Sequence, residues 1–262
     1  CERPLGTRQG ALDPVQVAPR QVDHQAADGT RDPRRPGQDR VVPVYEEPRH
    51  RQVFKSGTTR ILELIVLPGD TSLFHTHEDP IAYINLSTSA LRTQERGKEW
   101  SQGGGRGGAG GAAPAAPAAP AAPVPAVRVT STTSYAQTPA THRIANTGTG
   151  IVHALVVVNQ TKGTDATTPK DAGFEGMPEL TNNWFRAYRF ALPPGQSGTH
   201  THKAPAFLVQ TSDGTAVTQG ARLRALNQVG DWAFFDAGVA HEMRNTSTST
   251  VEFVEVEVRQ PR

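Results

Sequence analysis

His75-Thr-His77 and His200-Thr-His202 are the same tripeptide, 125 residues apart. In an extended strand the side chains at i and i+2 share a face, so each tripeptide sets two imidazoles side by side. A third histidine follows each pair at a distance: His142, in a segment ending Asn146-Thr147, and His241, in a segment ending Asn245-Thr246. Two neighbouring rings and one from a distant strand make three adjacent corners of a metal polyhedron. Imidazole nitrogen suits Zn, Cu, Fe and Ni, and a divalent transition metal (Fe, Zn, Mn, Ni or Cu) is expected at each set, the second less securely than the first. The two sets use six of the nine histidines. His24, His50 and His153 show no such pairing, and His153, among apolar residues, reads as a core or rim histidine.

The elements that must position these rings are strands. Short runs rich in Val, Ile, Leu and Phe recur from Val41 onward: Arg60 to Leu67, Ile81 to Leu86, Ile151 to Val158, Phe185 to Leu192, Ala206 to Val209, Trp232 to Phe235 and Val251 to Val258. Each is bounded by Gly, Pro, Asn or Thr, and none shows helical spacing. The last run alternates Val or Phe with Glu, as a half-buried strand should. The histidine pairs align at an offset of 125 residues, whereas His142 and His241 align at 99. The difference, 26, is the length of the Gly/Ala/Pro-rich stretch from Gln102 to Val127. The chain therefore reads as a duplication whose first copy extrudes a low-complexity insert at 102–127. Residues 1–40, rich in Arg, Gln, Asp and Pro, form an extended arm that lacks the apolar surface to offset ordering entropy. The expected division is an arm over 1–40, a first domain over 41–162, a linker over 163–180 and a second domain over 181–262.

These motifs resemble those of the cupin family. Its first motif, G-x5-H-x-H-x3,4-E-x6-G, is matched by Gly69 and His75-x-His77. Its second, G-x5-P-x-G-x2-H-x3-N, is matched by Gly230, Gly238, His241 and Asn245, with Asp236 in place of the proline; in the first copy Pro139, His142 and Asn146 fit. The resemblance implies an all-β protein of two tandem double-stranded β-helix (jelly-roll) barrels behind an extended arm. It also implies that His75, His77, His142 and His200, His202, His241 are metal ligands. The family's glutamate ligand would fall at Ile81 or Ala82, and at Ala206 or Phe207, none of which binds metal. Glu78 lies on the face opposite His77, and its counterpart is Lys203. The sites therefore resemble the three-histidine variant of the cupin centre. The second copy has Gly195-x4-His200, one residue short, which makes a tighter turn or a distorted site. On the ligand face of the strand after each pair stand Tyr83 and Asn85 in the first copy, Leu208 and Gln210 in the second. Tyr83 is the candidate catalytic group, and the second pocket is expected to be poorer in chemistry.

A net charge of +2, with 20% charged and 36% hydrophobic residues, gives no global sign of a nucleic-acid partner. No run approaches the roughly 18 apolar residues of a membrane helix. The single cysteine, Cys1, resembles the lipid-modified residue of a mature bacterial lipoprotein. Acylation there would anchor the protein at the extracytoplasmic or periplasmic face of a membrane. Three functions follow. One is a lipid-anchored, metal-binding accessory or structural subunit of a membrane-associated complex, photosynthetic or respiratory, docked through the arm and insert. The second is a mononuclear non-haem iron dioxygenase of the three-histidine type. The third is a sugar-binding or isomerase-type bicupin. Fold alone does not choose among them.

Overall fold

In the computed structural model, residues 40–101, 127–162, 177–222 and 225–260 are described. Cys1, the arm to residue 39, the insert up to residue 126 and linker residues 163–176 lie outside the described residues. The expectations of lipidation and of partner docking therefore fall outside them as well.

The first copy contains β1 (Val41–Pro43), β2 (His50–Ser56), β3 (Thr59–Val66), β4 (Phe74–His77), β5 (Ile81–Ser87), β6 (Leu91–Glu95), β7 (Arg128–Thr132), β8 (Ala140–Asn146) and β9 (Val152–Asn159). The second contains β10 (Leu180–Thr181), β11 (Phe185–Leu192), β12 (Ser197–Thr201), β13 (Ala206–Gln210), β14 (Ala216–Gln219), β15 (Ala225–Leu226), β16 (Trp232–Phe235), β17 (Ala240–Asn245) and β18 (Val251–Val258). Short 3-10 turns cover Val44–Glu46 and Ser134–Ala136. Each copy folds into two sheets: β2-β3-β9-β5-β7 with β1-β4-β8-β6, and β10-β11-β18-β13-β16 with β12-β17-β14-β15. Strands of one copy pair with strands of the same copy, so the molecule is all-β with two cupin-type jelly-roll barrels in tandem.

The continuous apolar runs have a physical cause. A strand covered on both faces needs no polar side, and β9 is such a strand. Its Ala154, Val156 and Val158 face the interior of the first barrel, while Leu155 and Val157 join a second cluster. That second cluster lies between the barrels, where Ile61, Ile84, Leu155 and Val157 of the first copy meet Phe185, Phe207, Phe234, Val254 and Val256 of the second. Burying each of these large side chains contributes roughly 1.5–3 kcal/mol. Val127, assigned from the sequence to the end of the insert, is 4% exposed and belongs to this inter-barrel core. The interface is also stitched by polar contacts. The Asn159 side-chain amide donates to the Trp184 and Arg259 carbonyls at 3.1 and 2.7 Å, and Arg189 donates to the Val127 carbonyl at 2.8 Å.

One expectation for this framework is overturned. Val251–Val258 is not half-buried with its glutamates outward. Glu252 is exposed, but Glu255 and Glu257 are fully buried. Val254, Val256 and Val258 take the inter-barrel face, so Val251, Phe253, Glu255 and Glu257 are left to point into the second barrel.

The shortened spacing Gly195-x4-His200 does not distort the register. His75 pairs with His142 across β4 and β8, and His200 pairs with His241 across β12 and β17. The additional residue of the first copy is taken up as a one-residue irregularity between Thr71, bridged to Ala145, and His75, paired with His142, whereas the second copy pairs without a break from Ser197 to Thr201. Both turns use a glycine at positive φ, 77° at Gly69 and 73° at Gly195, a conformation other residues adopt at a cost. Both glycine amides donate to the equivalent asparagine carbonyl, that of Asn146 and that of Asn245.

Candidate metal centres

In each barrel the histidine pair and its distant partner come together from adjacent strands, His202 standing one residue past the end of β12. His75, His77 and His142 bring ligand nitrogens within 4.8 Å of one another, as do His200, His202 and His241. The intervening threonine turns outward, and in the first copy Thr76 hydroxyl bonds Thr141 hydroxyl at 2.9 Å.

In the first barrel, the His75–His77, His75–His142 and His77–His142 ring centroids are 5.0, 4.8 and 4.9 Å apart. His75 Nδ1 donates to the Leu73 carbonyl at 3.0 Å, which leaves Nε2 as the lone-pair nitrogen. That Nε2 and both nitrogens of His77 are buried with no hydrogen-bond partner among the described residues. Each such orphan costs about 1–3 kcal/mol, and a metal cation would take up these lone pairs. Burial, reinforced by the neighbouring His50 and His142 rings, pushes His75 down to about 2. Burial and the His50 ring bring His142 to about 4, against the pull of Glu95. His77 is held well below its usual value, again by burial first. Three neutral imidazoles are the protonation state a metal requires. Tyr135 stacks on His77 with centroids 4.8 Å apart. His77 also lines a pocket of about 170 Å³ walled by Val42, Val44, Tyr45, Ile81 and Glu78.

Tyr83, the candidate catalytic residue, is partly buried and packs against the apolar interior of this barrel. Burial and the nearby Tyr135 raise its phenol well above the usual range, which keeps it protonated as a hydrogen-bond donor and not a base. Glu78 is exposed at the pocket rim.

The second barrel differs from expectation. The sequence suggested a poorer pocket with no carboxylate ligand; the structure instead places Glu255 among the three rings. Its carboxylate oxygens lie 2.7 Å from His200 Nε2, 3.1 Å from His202 Nε2 and 3.1 Å from His241 Nε2. His200 Nε2 and His241 Nε2 are 3.0 Å apart. Burial pushes the Glu255 carboxyl up, but hydrogen bonds from the three imidazoles outweigh it and hold the group well below the usual carboxylate range. Two ring nitrogens and a carboxylate this close repel unless a cation, proton or metal, lies among them. The donor set, three imidazoles and one carboxylate, fits Zn, Fe or Mn. Phe235 stacks on His241 at 3.6 Å, and Leu208 and Phe253 complete an apolar shell.

Two residues of these sites were missed in the sequence. Alternation along Val251–Val258 does not say which face is inward, so it does not mark Glu255 as a possible ligand. His50 was read as unpaired. It is buried, its ring centroid is 4.4 Å from that of His75, and its Nδ1 donates to Glu47 Oε2 at 2.9 Å. No local spacing announces it, since it reaches the site from another strand. His153 is as expected a rim histidine, 3.2 Å from Glu63.

No family model matches the sequence, and no curated protein matches it. Among solved structures, AerE from Microcystis aeruginosa superposes with a TM-score of 0.51 at 9% identity, over 78% of this chain and 90% of that one. A cupin 2 conserved barrel domain protein from Leptotrichia buccalis gives 0.45 at 9% identity, over 79% and 86%. Oxalate decarboxylase from Bacillus subtilis gives 0.47 at 13% identity, over 78% and 70%. At these identities the likeness concerns the fold.

Proposed function

We propose that this chain is a metal-binding double-barrel protein with two unequal centres. His200, His202, His241 and Glu255 hold a divalent transition-metal ion in a closed, structural site. His75, His77 and His142 hold a second ion whose remaining positions face a small ligand entering beside His77. The observation that carries the reading is Glu255: a fully buried carboxylate within 3.1 Å of three imidazole nitrogens. Such a group is costly to bury unless it is paired or bound to metal.

The first centre is favoured as the one that handles a ligand because a pocket reaches His77 and because its donor set is uncharged. An ion held there would supply Lewis-acid or redox chemistry at full charge. The protein's own residues do the rest. The Leu73 carbonyl fixes the His75 ring, Tyr135 covers the face of His77, and Tyr83 keeps a phenolic proton available inside the barrel. This arrangement supports a three-histidine dioxygenase as the enzymatic form of the reading. An accessory role in a membrane-bound assembly would fall to the arm and the insert, and removing both would release the protein from its partner.

Elemental analysis of protein purified without a metal-binding tag tests the proposal. The expected result is one equivalent of transition metal per barrel, with one lost in His200→Ala and the other in His77→Ala. Metal-free protein that binds no Zn(II), Fe(II) or Mn(II) at micromolar concentration would sink it.

A further inference from the structure

We infer that the small ligand of the first centre is a short apolar chain with a positively charged end, and that Glu78 holds that end. The inference rests on the reading of His75, His77 and His142 as a metal site. The pocket that reaches His77 measures about 170 Å³. A water molecule takes up about 30 Å³ of liquid, so the pocket admits a ligand of roughly six non-hydrogen atoms. Its wall is largely apolar: Val42, Val44, Ile81 and Val158 line it, and each is at most 5% exposed. His77 stands among them, 2% exposed, with neither ring nitrogen hydrogen-bonded within the described residues. A lone-pair donor on the ligand meets the ion at that end, and the chain lies along the valines.

The rim carries the charge. Glu78 and Asp79 stand there, and among the described residues no lysine or arginine lines the pocket. Asp79 is already matched: Lys162 donates to it at 2.8 Å and Gln160 at 3.1 Å. Lys162 also feels the Glu78 carboxylate, but its ammonium is bonded to Asp79. Two carboxylates therefore face one ammonium, and one negative charge is in surplus. The guanidinium of Arg60 lies 4.2 Å over the Tyr45 ring and donates to Gln160 at 2.9 Å, outside the pocket wall. A ligand carboxylate at the rim would meet the surplus charge as a repulsion, whereas an ammonium pairs with it. The second copy carries Lys203 at the position of Glu78, so the duplicated frame sets opposite charges beside its two histidine pairs. Glu78 is exposed, and its pull is that of a surface ion pair, a few-fold in affinity.

The experiment uses the full chain loaded with Zn(II), its metal content fixed by elemental analysis. The probes are ω-aminobutanol, butanediol and ω-hydroxybutanoate, which share a hydroxyl at one end and differ in charge at the other. Ligand-observed nuclear magnetic resonance titration reads their Kd values. The amino alcohol should bind about 2–5-fold tighter than the diol, and at least ~5-fold tighter than the hydroxy acid. Glu78→Lys should reverse the order of the amino alcohol and the hydroxy acid. Val41→Trp, on the partly exposed wall of the pocket, should abolish binding of all three; binding that survives it lies elsewhere and overturns the inference. A parent protein that binds the hydroxy acid as tightly as the amino alcohol overturns it too, as does one that binds none of the three while its first barrel holds zinc. That zinc is the equivalent lost in His77→Ala. If no equivalent is lost there, the metal reading of the first barrel fails, and this inference with it.

Discussion

The two barrels set the same three histidines on the same pair of strands in the same register, yet their interiors differ at a single decisive row. In the second, Glu255 reaches all three rings; in the first, Val156 takes that place and Tyr83 stands beside it where the second has Leu208. The second site is closed by charge and by Phe235, Leu208 and Phe253. The first keeps uncharged donors and a pocket at His77. A duplicated frame can thus keep its ligand strands and change purpose by altering what faces them, because the facing sheet is a separate element whose side chains do not affect strand register.

The comparison is broken most sharply at Glu255. Glu255→Ala removes the carboxylate from among three buried imidazoles, and loss of one partner of such a buried cluster costs about 3–5 kcal/mol. Chemical denaturation should show this loss, and metal titration should show binding at the second centre weakened with the first unchanged. Val156→Ala, at the matching position of the first barrel, should leave its metal affinity unchanged.

The shared frame predicts equal responses elsewhere. Asn146 donates to the Val66 and Gly150 carbonyls at 2.9 and 2.8 Å, and Asn245 donates to the Leu192 and Ser249 carbonyls at 2.7 Å each. Both are buried, so Asn146→Ala and Asn245→Ala should each cost about 1–3 kcal/mol. Guanidinium unfolding of the two variants checks this, and a loss confined to one of them would show that the barrels do not share the turn.

The smallest effect is one of pH in metal-free protein. His142 and His75 fold with values lowered from 6.5 to about 4 and about 2. Between those values and 6.5 the unfolded chain binds more protons than the folded one, so stability falls as pH falls through this window. The thermal midpoint of the metal-free protein should drop between pH 6.5 and pH 4, and His142→Asn should flatten part of that slope. An unchanged slope in the variant would place the acid sensitivity at His75 and His77, also lowered from 6.5; the lowered Glu47 and Glu255 act in the same direction but only below their ordinary value of 4.5.

What the sequence determined by itself is the strand class, the duplication and the six histidines. These rest on local periodicity and on spacing within single strands: in a strand His-Thr-His sets its rings on one face, and short apolar runs rich in Val, Ile and Phe between turn residues favour strands. What the tertiary structure decided is which face of each strand looks inward and which distant residue meets the trio. Val251–Val258 alternates legibly, but with both faces covered, one by the barrel interior and one by the other barrel, alternation carries no sign and does not mark Glu255 as a possible ligand. His50 carries no local signal at all, because its neighbours at the site belong to β4 and not to its own strand. Only the packing of the sheet edge against that strand brings it beside His75.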